Sequence, residues 1–519
     1  MNHPHKISDV WSKMKEDKGD LIDRSQSYAR WTVPAIMPAD HSSKIEQTKG
    51  NVPTGARLVN HLANKIVDVL FPVSRPFFTV ALTPEAKLRL EKELGQEQSG
   101  KMQEMIRDST SRLESVALRK LKLTAYRPQA IMAAKHLIVV GNILLRRMPT
   151  GERVLYPVDR YGVRRSILGV EYQVVLSDKK IFSTFDTTTQ EAIKLVHPNT
   201  KELDEVDLLT LYEKDGKRWK ITQEANGIPI GSPMYQNPAD YDLLVLAWSL
   251  HPGEHYGRGL VEDHAATFHN VDVCTEALMD MTAILADIKF FVRLGSPLAM
   301  DIAALNAAPR GSYFPGNADD ITVPDMKTRA DLSTINDLIS KWEGELAAGF
   351  LLSDVRDAER VTAAEIRMIA NELESAFGGL YSMLAQSWQQ READYAIAQI
   401  NFEMEIGEKS DTFEVVVTTG LESLSREGQI DNLRLAVGDL QMMEAVPEDI
   451  RGAFNPLRFA KFVFTNRSVD LNAFLNTPEE MQANRNAAME EAGRMQQQQG
   501  QANVQEHAGK AAVDSQQTQ

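Results

Sequence analysis

The sequence predicts an α+β fold that is mainly helical. Apolar residues recur at intervals of three and four through several long segments, the period of an amphipathic helix. Residues 146–250 break that pattern with short β-branched and aromatic runs, separated by turn dipeptides such as Asp215-Gly216 and Asn226-Gly227. Residues 260–291 contain neither proline nor glycine, so a single long helix is expected there.

In chain order, residues 8–30 read as a charged helix, ended by Pro34 and Pro38. Residues 54–70 form a second amphipathic helix that stops at Phe71-Pro72. A Glu-, Lys- and Arg-rich helical stretch covers 83–121, and another helix spans 126–145, ending near Gly141-Asn142. Strands are expected at 154–158, 170–175, 208–212, 219–222 and 243–248. The long helix that follows carries Leu260, His264, Phe268, Val271, Cys274, Leu278, Met281, Leu285 and Ile288 on one seam, with His264 the partial exception. It is about 45–50 Å long at 1.5 Å per residue.

Residues 292–330, with Pro297, Pro309, Pro315 and Pro324, form an irregular insert. A helix over 331–352 turns Leu332, Ile335, Leu338, Ile339, Trp342, Leu346 and Phe350 inward. A charged loop leads into a helix started by a Thr362/Glu365 capping box. That helix carries Ile366, Ile369, Leu373, Phe377, Leu380, Leu384 and Trp388 on one face, and Gly378-Gly379 kinks it. Residues 421–475 are helical again. Beyond Pro478 the chain turns polar, with consecutive glutamines at 496–499; a helical extension and disorder both fit, and the last stretch is expected to be disordered.

Composition bounds the function. A chain of 519 residues buries a large core and holds several domains. The single Cys274 excludes an intrachain disulfide and a multi-cysteine zinc site, and is compatible with assembly in a reducing compartment. Residues 1–20 lack a signal-peptide core, and the apolar run 136–145 is too short and interrupted to span a bilayer, so no membrane partner is expected. The formal net charge of −15 is the wrong sign for a protein that grips nucleic acid by neutralising phosphates. Solubility alone is one sufficient reason for it.

Four blocks occur in a suggestive order: Thr54-Gly55-Ala56-Arg57-Leu58-Val59-Asn60-His61-Leu62-Ala63-Asn64-Lys65 followed by Leu70-Phe71-Pro72; Val139-Val140-Gly141-Asn142-Ile143-Leu144-Leu145; Tyr256-Gly257-Arg258-Gly259; and Arg356-Asp357-Ala358-Glu359-Arg360-Val361-Thr362-Ala363-Ala364-Glu365-Ile366-Arg367. Thr419-Gly420-Leu421-Glu422 fits the same series. Together they resemble the portal proteins, or head-to-tail connectors, of podovirus-type short-tailed bacteriophages, over roughly residues 8–475.

The resemblance implies a twelve-subunit ring around a channel for double-stranded DNA, at the capsid vertex of the virion, assembled in the host cytoplasm. In that frame 1–256 resemble the wing, 257–291 the first stem helix, 292–330 the clip, 331–352 the second stem helix and 353–361 the tunnel loop. Residues 362–420 return to the wing, 421–480 resemble the crown and 481–519 are a polar tail. The implied partners are the terminase motor, the major capsid protein, scaffold or internal core proteins and a tail adaptor. The acidic balance then takes a second meaning. DNA carries one negative charge per about 1.7 Å, and an anionic wall leaves the duplex mobile where a cationic wall would hold it.

No Walker A loop, HExxH, EF-hand loop or Gly-x-Ser-x-Gly occurs, so neither an enzyme nor a cofactor is expected and the motor is a separate protein. The candidate residues are those of the loop: Ser353, Asp354, Arg356, Asp357, Glu359 and Arg360. A ring of Arg356 and Arg360 meets phosphates at a constriction in one reading; in the other they pair locally with Asp354, Asp357, Glu359 or Glu372. Exposed pairs contribute only about 0–1 kcal/mol, so stability alone is a weak reason for so dense a charge. His251, His255, His264 and His269 read as surface, interface or packed histidines before they read as a metal site. Asp319-Asp320 and Glu372/Glu374 are the only paired carboxylates weighed for metal-dependent cleavage, and Glu372 and Glu374 do not share a helical face. Two rival functions stay open at this stage: a nucleic-acid-processing hydrolase with an unrecognised site, and a structural scaffold that holds no DNA.

Overall fold

A five-stranded antiparallel meander and a three-stranded antiparallel sheet, flanked by helices, occupy the middle of the chain. A computed structural model describes residues 6–38, 53–72, 77–82, 121–286, 332–352 and 363–398, with shorter pieces at 92, 112, 114–119, 291–293, 307, 321–322, 415–418, 437–438 and 456–466. The chain divides into two compact units, Met1–Ser423 and Leu424–Gln519. In the second, the main described element is the helix Pro456–Asn466.

The first helical segment is two helices, α1 (Ile7–Asp17) and α2 (Gly19–Trp31), where one was expected. Lys18 leaves helical geometry between them, and its ammonium donates to the carbonyls of Val158 at 2.6 Å and Tyr161 at 2.5 Å. That buried anchor redirects the chain. Helix α1 then lies on the meander, packing Ile7 and Met14 against Val175, Leu209 and Leu211. The Glu224 carboxylate accepts from the first two amides of α1, Ile7 N at 2.7 Å and Ser8 N at 3.1 Å, matching an anion to the positive helix end.

Helix α3 (Pro53–Leu70) follows the sequence reading closely. Strand β1 (Thr79–Leu82) went unread, because its antiparallel partner lies more than 330 residues away at β12 (Val415–Thr418). Helix α4 (Tyr126–Val140) ends sooner than expected. Gly141 takes φ +80° and its amide bonds back to His136 and Leu137, so the chain reverses into strand β2 (Asn142–Arg147). The β-rich region therefore begins at 142, and the apolar run there is half helix end, half strand.

Strand β2 pairs with β3 (Arg153–Tyr156) and β9 (Leu243–Ala247). The meander is β4 (Tyr161–Arg165), β5 (Glu171–Ile181), β6 (Glu205–Asp215), β7 (Arg218–Ala225) and β8 (Ile228–Gln236). Asn226 and Gly227 both take positive φ, as a two-residue type I′ hairpin requires. Strands β4 and β8 were not anticipated; arginines interrupt the first and prolines the second. Helix α5 (Thr187–Val196), capped by Asp186, covers one end of the meander through Ile193, Phe182 and Phe185.

The long helix also divides. His264 separates α6 (Leu260–Asp263) from α7 (Ala265–Ala286). Strands β10 (Phe291–Val292) and β11 (Ile321–Thr322) pair at the base of the insert. Helix α8 (Leu332–Gly349) packs on α7. On it Ile339 and Leu346 are buried, as is Phe350 just past its end, whereas Leu338, expected inward, is 41% exposed. Helix α9 (Ala363–Ala376) stops before Gly378 and Gly379, which both adopt positive φ. The glycines thus break the helix and do not merely bend it. It resumes as α10 (Leu380–Leu384), a π-helical turn Ala385–Gln389, and α11 (Gln390–Ala398). The π turn packs Trp388 on Phe71, and the Trp388 indole donates to Tyr126 Oη at 2.7 Å.

Candidate functional site

The loop carrying Ser353, Asp354, Arg356, Asp357, Glu359 and Arg360 lies outside the described residues, as do Thr362 and Asp319-Asp320. Its two feet are described. The first is the end of α8, where Leu351 N donates to Ala348 O at 3.1 Å and Leu352 N to Ala347 O at 2.9 Å. This bond pair is a Schellman motif, with Leu351 at φ +51° in the left-handed position that glycine normally fills. The second foot is α9.

Helix α3 reaches both feet. Lys65 Nζ lies 2.7 Å from Glu372 Oε2 on α9 and donates to Leu351 O at 3.4 Å. The Lys65 side chain is 8% exposed, that of Glu372 41%. One helical turn earlier, burial and the neighbouring Lys65 charge push the His61 imidazole below its ordinary pKa, against a hydrogen bond with the Leu351 backbone. At the start of the helix Thr54 Oγ1 donates to Glu343 Oε1 on α8 at 2.6 Å. Glu372, weighed above as a partner for the loop arginines, is thus engaged by Lys65. Glu374 accepts from Ser382 N at 3.0 Å and Ser382 Oγ at 2.6 Å, and so holds the restart at α10. The two carboxylates serve different partners and do not form a pair.

The α7–α8 hairpin carries the next feature. Phe268 and Val271 are buried near its base. Met279 sits three turns beyond Phe268 on the same face, yet is 59% exposed, and Val273 is 48% exposed. Asp272, Glu276 and Asp280 follow one another at four-residue intervals, an acidic stripe along one side of α7. Among the described residues, only Asp272 of the three has a cationic partner, Arg30 at 3.1 Å. Like charges at that spacing destabilise a helix by about 0.2–0.5 kcal/mol per pair, so local stability does not account for the stripe.

Two sequence blocks prove to be a single contact. Asn142 Nδ2 donates to Gly257 O at 2.6 Å, and Gly257 N donates to Asn142 Oδ1 at 2.8 Å. Gly141 and Gly259 press backbone on backbone beside this bridge, where a Cβ on Gly259 would lie 2.8 Å from Gly141 N. The glycines are there for close approach. The four histidines disperse: His251 is exposed, the Arg165 amide donates to His255 Nδ1 at 3.2 Å, His264 packs on Phe350, and His269 faces the Trp31 ring. Among the described residues no group of three His, Cys, Asp or Glu side chains is arranged to hold a metal ion, and no helix is long and apolar enough to cross a membrane.

Of the charge pairs that sequence reasoning missed, two are instructive. Lys65–Glu372 sits in a motif that was noticed, but a lysine on an amphipathic helix gives no sign that it is buried. Arg153–Glu392, 2.5 Å apart and almost fully enclosed, joins residues 239 apart and leaves no local signal.

Exposed apolar residues and an acidic stripe on one helical hairpin fit a structural assembly subunit. Residues 4–472 match the family described as bacteriophage head to tail connecting protein, and the chain belongs to that family. Relatives carry the name portal protein. That of Enterobacteria phage SP6 is 31% identical over 92% of this chain and 91% of its own length. That of Escherichia phage T7 is 26% identical over 91% and 88%. A solved chain from the virion of a native gene transfer agent particle covers 80% of this chain and 89% of itself at 14% identity and TM-score 0.34, too loose a likeness to argue from. The protein is a structural connector of the virion, at the junction of head and tail, and not an enzyme.

Proposed function

We propose that identical copies of this chain close into a ring, twelve-fold in keeping with the family resemblance, at the capsid vertex. Double-stranded DNA passes through its bore inward during packaging and outward during ejection. The observation that carries this reading is the α7–α8 hairpin. In the single subunit Met279 and Val273 stand in solvent on either side of α7, and an acidic stripe runs along the helix between them. Head-to-tail packing of such hairpins buries the first feature in a closing ring. It also leaves an anionic surface for the bore, past which phosphates slide without being held.

In this assignment 257–291 and 331–352 are the stem and 292–330 the clip, which meets the terminase motor during packaging and a tail adaptor afterwards. Residues 1–256 and 362–420 build the wing, 421–480 the crown and 481–519 the tail. The major capsid protein and scaffold or internal core proteins surround the ring. The loop over 353–361 lies beside the duplex, with Arg356 and Arg360 as the cations that check retained DNA and Ser353, Asp354, Asp357 and Glu359 completing its charge.

Two measurements test this. Negative-stain images of the purified protein are expected to show uniform rings with a central hole; a compact monomer or dimer under all assembly conditions rules the ring out. Arg356→Ala with Arg360→Ala is expected to assemble normally and to lose packaged DNA. Normal phage yield from that pair removes the loop's role.

A further inference from the structure

The polar stripe of α3 is unexplained by ring closure. Thr54, His61 and Lys65 recur at seven- and four-residue intervals, so they share one face of the helix. Each is directed at the hairpin or at the helix that follows it. Thr54 bonds Glu343, the His61 imidazole meets the Leu351 backbone, and Lys65 holds Leu351 O and Glu372 together. Packing alone does not demand a lysine here. Leu58, Leu62, Ile66 and Val69 already fix α3 in the core, and a lysine side chain only 8% exposed is costly unless paired.

Leu351 adds a second, independent observation. A leucine at φ +51° is strained, and such a conformation persists only where the surroundings fix it. Two of its fixtures are the Schellman bonds. Lys65 on its carbonyl is the third, reaching it from outside α8 beside the His61 imidazole. The same ammonium fixes α9 through Glu372.

We infer that Lys65 is a positioning residue for DNA retention. It ties Leu351, just past the end of α8, and the third turn of α9 to one point on α3, so that the described segments on either side of 353–361 keep a fixed separation under load. This rests on the loop reading above, and the experiment separates the two. Hydrogen exchange is followed in assembled rings. Lys65→Met is expected to speed exchange by about tenfold at both 349–352 and 370–374, because one residue supports both places. Lys65→Arg retains protection at both. Lys65→Glu with Glu372→Lys restores protection at α9 alone, since a carboxylate cannot donate to Leu351 O. Faster exchange at only one foot, or at neither, overturns the inference.

Genome retention is then compared in virions. Lys65→Met is expected to lower the fraction of DNA-filled heads severalfold with ring assembly intact, and wild-type retention overturns the positioning role. Arg356→Ala, Arg360→Ala virions that keep their DNA overturn the loop reading on which the inference rests. Loss of DNA from those virions together with unchanged exchange in Lys65→Met overturns the inference alone.

Discussion

Lys18 carries its ammonium into the interior at the break between α1 and α2. It is 1% exposed, sandwiched between α1, α2 and the meander, with its ammonium over the Trp11 ring and two carbonyls as acceptors. Burial pushes its pKa down to about 7, with the Asp159 carboxylate opposing and Lys15 adding to the fall. The sign of the pH dependence follows. Between about 7 in the folded state and 10.5 in the unfolded state, the unfolded chain holds the extra proton. Stability therefore rises with pH through that window, by up to about 1.4 kcal/mol per unit, and the full cost of the buried charge is present below pH 7. Urea midpoints of the wild type are expected to increase from pH 7 to pH 9, and those of Lys18→Met to change less. Parallel curves for the two proteins exclude this role. Asn142 shows what a sequence discloses at this scale. Gly141-Asn142 was visible as a motif, and so was Gly257. That the asparagine spans two blocks 115 residues apart was not, because a hydrogen bond to a distant backbone leaves no local pattern.

At the scale of elements, periodicity located the helices well and their breaks badly. The breaks at Lys18 and His264 are set by tertiary partners, whereas the one at Gly378-Gly379 follows from the glycines' own positive φ and was visible as a kink site. Lysine and histidine are acceptable helix residues until a buried carbonyl or a neighbouring helix claims them. Strand β4 escaped notice because its arginines point to partners, Arg165 among them with Val245 O at 3.2 Å. His264 illustrates the packing that fixes such a break. It sits where α6 passes into α7 and fills the space over Gly349 at the end of α8. A Cβ on Gly349 would lie 2.7 Å from the imidazole. Gly349→Ala gains helix propensity of about 1 kcal/mol but overpacks this contact by about 1–3 kcal/mol. A net loss of stability is expected in denaturant titration. Adding His264→Ala removes the obstruction, so the double variant is expected to lose about 1 kcal/mol less than the sum of the single ones. Strict additivity argues that the two residues do not meet.

For the whole molecule, one chain discloses only half of the argument. The net charge, the missing nucleotide-binding loop and the long helical hairpin were legible, and the resemblance supplied the assembly. The candidate loop arginines were legible as a dense charge, whereas the bracket beneath them needed the fold. The sequence pattern left Val273 and Met279 off the inward seam of α7, but it could not mark what covers them. In the single subunit they are 48% and 59% exposed. If neighbouring subunits cover them, a lysine at either place overpacks the interface and loses hydration that Glu276, three residues from each, only partly replaces, at a cost of about 1–3 kcal/mol per subunit interface. If solvent covers them in the finished particle, lysine there is nearly neutral. Val273→Lys with Met279→Lys is therefore expected to sediment as a monomer with an unchanged far-ultraviolet circular dichroism spectrum. The same double substitution at the exposed β4–β5 tip, Ile167→Lys with Leu168→Lys, serves as a control for charge alone and is expected to leave ring assembly intact. Normal rings from the α7 variant would place that face outside the subunit interface and require another surface to close the assembly.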